Sequence, residues 1–122
     1  VATADEKLAL ATKHLEKVRA AWDPPDWADL SLYGFYCLEA AVDAATIHLG
    51  QSAEPRHPKR VELAEMLHAK HALPDISELL ADLNETRKSE VYGDVVAPTL
   101  DAEDVAREIE EYFEAVRTFV GK

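Results

Sequence analysis

The sequence is poor in the residues that staple or interrupt a small chain. Its one cysteine, Cys37, leaves no internal disulfide available. Only four glycines and six prolines occur in 122 residues, and most of them fall between apolar-periodic runs. That excludes a collagen-like or low-complexity chain. No apolar stretch approaches the roughly 20 uncharged residues of a membrane-spanning helix. Basic residues are also scarce, 13 against 24 acidic, for a net charge of −11. A sequence-independent nucleic-acid binder draws its affinity from counterion release at phosphates. The overall field here opposes that, leaving only a local basic patch for such contact. The first residues show no basic stretch followed by an apolar one, so no signal peptide is visible and a cytoplasmic location is expected.

What is present is a globular composition, 48% apolar and 30% charged. The length predicts one domain over residues 1–122, which would bury about 65% of its unfolded surface. Five helices and almost no strand are expected. The first, from about Asp5 to Trp22, places Leu8, Ala11, Leu15, Val18 and Trp22 on one stripe, and Pro24 and Pro25 end it. The second, from about Asp26 to Leu49 with Gly50 as a cap, is apolar on two sides. Such a helix belongs at the centre of a bundle. Residues 50–57, with Pro55, read as a loop. Pro58 and Pro74 suit the first positions of a short third helix, to about His71, and of a fourth. Gly93 and Pro98 bracket a second loop, and Asp101 caps a fifth helix whose stripe includes Val105, Ile109, Tyr112, Phe113 and Val116. Short links between long helices predict an all-α, antiparallel up-and-down bundle of four long helices plus the short third.

Arg87 stands out. Ile76, Leu80, Leu83, Arg87 and Val91 share one helical face. A guanidinium that continues an apolar stripe needs acceptors for its five donors. One reading pairs it with Glu39 or Asp43, which interrupt the apolar second helix. The other gives its planar fork to a phosphate or another anion.

The surrounding segment reads Leu83-Asn84-Glu85-Thr86-Arg87-Lys88-Ser89-Glu90-Val91-Tyr92-Gly93-Asp94. An arginine, four residues, Tyr-Gly-Asp, a loop and a last amphipathic helix resemble the C-terminal half of HEPN-superfamily domains. The second helix, with Tyr33 and Tyr36 before an alanine-rich stretch, resembles that family's central helix. The resemblance implies a bundle of four or five helices, a homodimer, and a toxin–antitoxin or phage-defence setting. It implies as partners a nucleotidyltransferase-like antitoxin, RNA or a nucleotide, with no cofactor and no membrane. Active relatives are metal-independent ribonucleases that use Arg-x(4–6)-His. There the histidine moves protons and the arginine stabilises charge building on the phosphate.

Here the positions open to that histidine hold Tyr92, Gly93 and Asp94. A tyrosine of ordinary pKa, about 10, is roughly 0.1% ionised at pH 7 and is a poor base. The expectation is therefore a binding module without ribonuclease activity, with Arg87, Asn84 and Tyr92 as binding residues. Two alternatives stand beside it. One is a ribonuclease using Arg87 with Tyr92 or Asp94 as substitute base. The other is a structural dimerisation domain that buries Arg87 against carboxylates. Trp27, Phe35 and Tyr36 are the aromatics expected at a dimer interface.

Two weaker constellations complete the reading. Arg56, Lys59 and Arg60 form a candidate basic patch for an acidic subunit face or an RNA phosphate. Glu65, His68 and His71 repeat at three-residue spacing, but a di-iron bundle needs a second Glu-x-x-His and further glutamates. No metal is expected here. Neither a nucleophilic triad spacing nor a phosphate-cradling glycine loop occurs.

Overall fold

The computed structural model describes residues 2–53, 56–93 and 99–121, apart from the side chains of Val91 and Tyr92. The expectations placed on Pro55, Asp94, Pro98 and the Tyr92 side chain lie outside the described residues. Five helices follow one another: α1 (Ala4–Ala21), α2 (Trp27–His48), α3 (His57–His71), α4 (Ser77–Tyr92) and α5 (Ala102–Phe119). No strand occurs among the described residues, and none of these helices is long and apolar enough to cross a membrane.

Local chemistry sets most of the ends. Thr3 opens α1 with a capping box, its hydroxyl accepting from the Glu6 N–H while the Glu6 carboxylate accepts from the Thr3 N–H. Asp26 and Asp101 cap α2 and α5 by accepting from Asp29 N–H and Asp104 N–H. Gly50, at φ 84°, turns the chain out of α2, in the left-handed region that costs glycine little. Pro58 lies in the first turn of α3, as its fixed φ favours.

The expected start of α4 is corrected. Pro74 stays in the link, and α4 begins three residues later at Ser77. Asp75 accounts for the delay, because its Oδ1 accepts from both the N–H and the hydroxyl of Ser77. The expected brevity of the third helix is corrected too. α3 has 15 residues against 16 in α4. It is modest only in its share of the core, burying Ala64 and Leu67.

α2 touches all four other helices. Its alanines at 40, 41, 44 and 45 are all buried and let the neighbours approach closely. Gly34 marks the tightest approach: a Cβ there would stand 2.8 Å from Ile109 Cδ1 and 3.3 Å from Leu83 Cδ1. Leu15 and Val18 of α1, Leu80 and Leu83 of α4, and Ile109 and Val116 of α5 are buried around it. Cys37 lies fully inside this core, and burial pushes its thiol up to about 12. α1 and α5 are also tied on the surface, where Glu110 accepts two bonds from Arg19.

Candidate functional site

Two carboxylates, Glu39 and Asp43, interrupt the apolar length of α2. Glu39 and Asp43 are one turn apart and both buried. Arg60, from the first turn of α3, reaches both. Its Nε and Nη2 donate to the two Asp43 oxygens at 3.1 and 2.8 Å, a bidentate fork. Its Nη1 stands 3.2 Å from Glu39 Oε2, an ion pair. Lys7 adds a second cation 3.3 Å from Asp43. Burial alone would lower the Arg60 pKa; the two carboxylates outweigh it and raise it. The expected exposed patch is thereby divided. Arg56 and Lys59 are exposed and line a surface depression with Pro58 and Glu62. Arg60 is turned inward to its carboxylates.

Because Arg60 takes Glu39 and Asp43, Arg87 does not pair with either, and that expectation is corrected. Arg87 packs its guanidinium carbon 4.8 Å from the centre of the Phe35 ring. Its Nη2 donates to Asn84 Oδ1 at 2.7 Å, one turn back on α4. Its Nε is buried and has no hydrogen-bond partner among the described residues. No ion pair to Arg87 occurs among the described residues. A half-buried guanidinium is thus fixed by a ring and an amide, with no carboxylate to neutralise it among the described residues. Asn84, itself buried, orients the fork.

His57 is the neighbour that the chain order does not announce. It opens α3, and its ring packs 5.2 Å from the same Phe35 ring. Its Nδ1 lies 3.7 Å from Glu39 Oε2, beyond hydrogen-bond reach, and both atoms are buried without a hydrogen-bond partner among the described residues. Burial holds the His57 pKa below its ordinary 6.5. Glu39 opposes the shift, and Lys88 and Arg87 add to it. Near neutral pH the imidazole is therefore uncharged. The signal for this site in the sequence is the phenylalanine one turn before Glu39, but only the fold shows which cation and which histidine it collects.

Around these residues lies an aromatic row. Tyr36 packs against Phe35 with centroids 5.9 Å apart and against His14 of α1 at 5.4 Å. Tyr33 stacks on His14 at 6.0 Å. Of the aromatics expected at an interface, Phe35 is buried within the chain, Trp27 is half-buried and Tyr36 is open.

Glu65, His68 and His71 do not converge. His68 Nδ1 lies 2.9 Å from the Leu73 carbonyl oxygen, and His71 sets its ring edge against Phe119. No cluster of three metal-ligating side chains occurs among the described residues. No family model matches the chain, and no curated protein matches it.

Proposed function

We propose that this chain is a HEPN-like binding module that holds a phosphate-bearing ligand at Arg87 and does not cleave RNA. In this reading the bundle has the family's antiparallel up-and-down order. It works as a homodimer in a toxin–antitoxin or defence setting, with a nucleotidyltransferase-like antitoxin as protein partner. One observation carries the reading. Arg87 is oriented by Phe35 and Asn84 and has no carboxylate partner among the described residues, while both buried carboxylates of α2 serve Arg60. A fork fixed in advance loses little freedom when it meets a planar or tetrahedral anion. A purely structural role for Arg87 would call for an acidic partner.

A ribonuclease is the second reading, and His57 is the observation in its favour. The histidine that the segment after Arg87 lacks is supplied from α3, against the same Phe35 ring and uncharged near neutral pH. Against it, the buried Nδ1 faces Glu39.

The experiment incubates the purified chain with single-stranded RNA in chelator, beside Arg87→Ala, His57→Ala and Tyr92→His. The binding-module reading expects no cleavage by the wild-type chain. It expects cleavage from Tyr92→His, which restores the Arg-x(4)-His spacing. Wild-type cleavage lost in both Arg87→Ala and His57→Ala would replace it with the ribonuclease reading. Sedimentation at high micromolar concentration tests the homodimer, and a monomer there removes that part.

A further inference from the structure

Between α1 and α5 lies a cavity of about 310 Å³, a size that takes a small molecule. It shares no lining residue with the Arg87 site. Val18 and Ala106 line it from the core and are buried, and the half-buried Trp22 stands with them. The rest of the lining is charged. Arg19 and Glu110 come from the surface tie between the two helices, and Glu103 and Arg107 lie one turn apart on α5.

These charges are unequally engaged. Glu110 accepts two bonds from Arg19. Asp104 accepts one from Arg107 at 2.7 Å, and Glu111 stands 4.0 Å from the Arg107 Nε. The exposed Glu103 side chain makes no hydrogen bond or ion pair among the described residues and acts on Arg107 only at longer range. Glu16 and Glu114 add negative charge around Arg19. Carboxylates around the cavity thus outnumber its two guanidinium groups, and the net charge of −11 carries the same sign over the whole chain. Such a field draws in a cation and repels an anion. An anion would also have to take an arginine from Glu110 or Asp104. A metal ion has no seat here, because no three metal-ligating side chains converge among the described residues. An apolar lining with one uncommitted carboxylate suits a molecule with an apolar body and a positive end.

We propose that the α1–α5 cavity binds a small organic cation of the arylalkylammonium class, its ring against Val18, Ala106 and Trp22 and its ammonium paired with Glu103. The proposal is independent of the anion-binding reading of Arg87. Its two contacts differ in weight. Burying a phenyl-sized body is worth roughly tenfold or more in affinity. An ion pair to an exposed carboxylate is worth about fivefold at most and fades with salt. The ring therefore sets most of the affinity, and Glu103 sets the sign of charge that is accepted.

The test is an NMR titration of the full chain at neutral pH with phenethylamine, with ethylamine, and with hydrocinnamate, which carries the same phenylethyl body on a carboxylate. The readout is the Trp22 indole N–H signal, told from the other of the chain's two tryptophans by Trp27→Phe. Phenethylamine is expected to move that signal saturably, with a dissociation constant in the millimolar range. Ethylamine should bind at least about tenfold more weakly, and hydrocinnamate more weakly than phenethylamine. Glu103→Gln should weaken phenethylamine by up to about fivefold, and Glu103→Lys should abolish the preference for the amine over the acid. Ala106→Leu, which fills the cavity, should remove binding of the aryl body. Circular dichroism melts check that variant. Where it unfolds, the Glu103 variants decide, since they change an exposed side chain. If hydrocinnamate binds as tightly as phenethylamine and Glu103→Lys changes neither, the cavity takes apolar bodies of any charge and the proposal is overturned. It is overturned equally if the Trp22 signal does not move, or if folded Ala106→Leu binds phenethylamine as the wild-type chain does.

Discussion

Arg60 grips Asp43 by two parallel bonds, Nε to Oδ1 and Nη2 to Oδ2, across the contact of α3 with α2. The carboxylate is 1% exposed, so neither oxygen has water as a substitute partner. Breaking a buried pair from one side leaves an uncompensated charge and costs roughly 3–5 kcal/mol. Lys7 softens this by remaining 3.3 Å from Asp43. Arg60→Ala should therefore lower the urea unfolding free energy by about 3 kcal/mol. Arg60→Lys should lose less, keeping the charge without the fork. A loss under about 1 kcal/mol for Arg60→Ala, the level of an exposed pair, would mean that the pair is not desolvated.

The two depressed histidines predict an acid-side loss of stability. Burial is the main cause at both His14 and His57, with Lys13 adding at the first and Lys88 and Arg87 at the second. Facing His57 from α2, Glu39 pulls the other way and is outweighed. A folded state with the lower pKa binds protons less readily than the unfolded chain. The contribution is thus complete above the ordinary 6.5 and is lost as pH falls below it through the folded values. Urea midpoints at pH 7.5 and 5.5 check this. The wild-type drop between the two should shrink in His14→Gln/His57→Gln. An unchanged drop would place the acid sensitivity in the carboxylates.

The stripes were legible because burial follows helical period. Leu15, Leu80, Leu83, Ile109 and Val116 sit in the core where a 3.6-residue repeat puts them. The candidate site was legible only in its members. Arg87, Glu39 and Asp43 stand out as charges on apolar stripes, but a stripe does not state which helix supplies the counter-ion. Arg60 read as one more surface base, and the α2–α3 register turned it inward. His57 meets Phe35 from a distance of 22 positions along the chain, and Arg87 meets it from 52, so no local spacing encodes the pair. Asp75 delayed α4 by a side-chain turn that competes with helix at its own position.

Gly34 and Ile109 should be energetically coupled. A methyl at position 34 would meet Ile109 Cδ1 at 2.8 Å, and that atom is the movable end of its side chain. Overpacking of this kind typically costs about 1–3 kcal/mol, offset in part by the roughly 1 kcal/mol of helix propensity that alanine gains over glycine. Ile109→Val should cost about 1 kcal/mol in the wild-type chain. In the Gly34→Ala background it should cost close to nothing, because it removes the clashing methyl. Strict additivity in a double-mutant cycle would show that the helices separate instead.

Ala72 offers a stabilising change. It closes α3 in the left-handed region, at φ 59°, with its side chain exposed. A residue with a Cβ pays roughly 1–2 kcal/mol for that conformation. Ala72→Gly removes the penalty at the cost of a looser unfolded chain. The net should be a gain of about 0.5–1 kcal/mol, read as a rise in the urea midpoint. A fall would mean that α3 does not end here.

The thiol of Cys37 gives the bundle an internal clock. It is the sole sulfhydryl of the chain, fully enclosed, and its pKa near 12 keeps it almost wholly protonated at neutral pH. An alkylating reagent attacks the thiolate and must first reach it. Labelling in the native protein therefore waits for an opening that lifts α2 out of its surrounding helices. When closing is fast relative to alkylation, its rate reports the free energy of that opening without any denaturant. A chain that binds a ligand at Arg87 should run this clock more slowly, by the same factor as its binding stabilises the closed form.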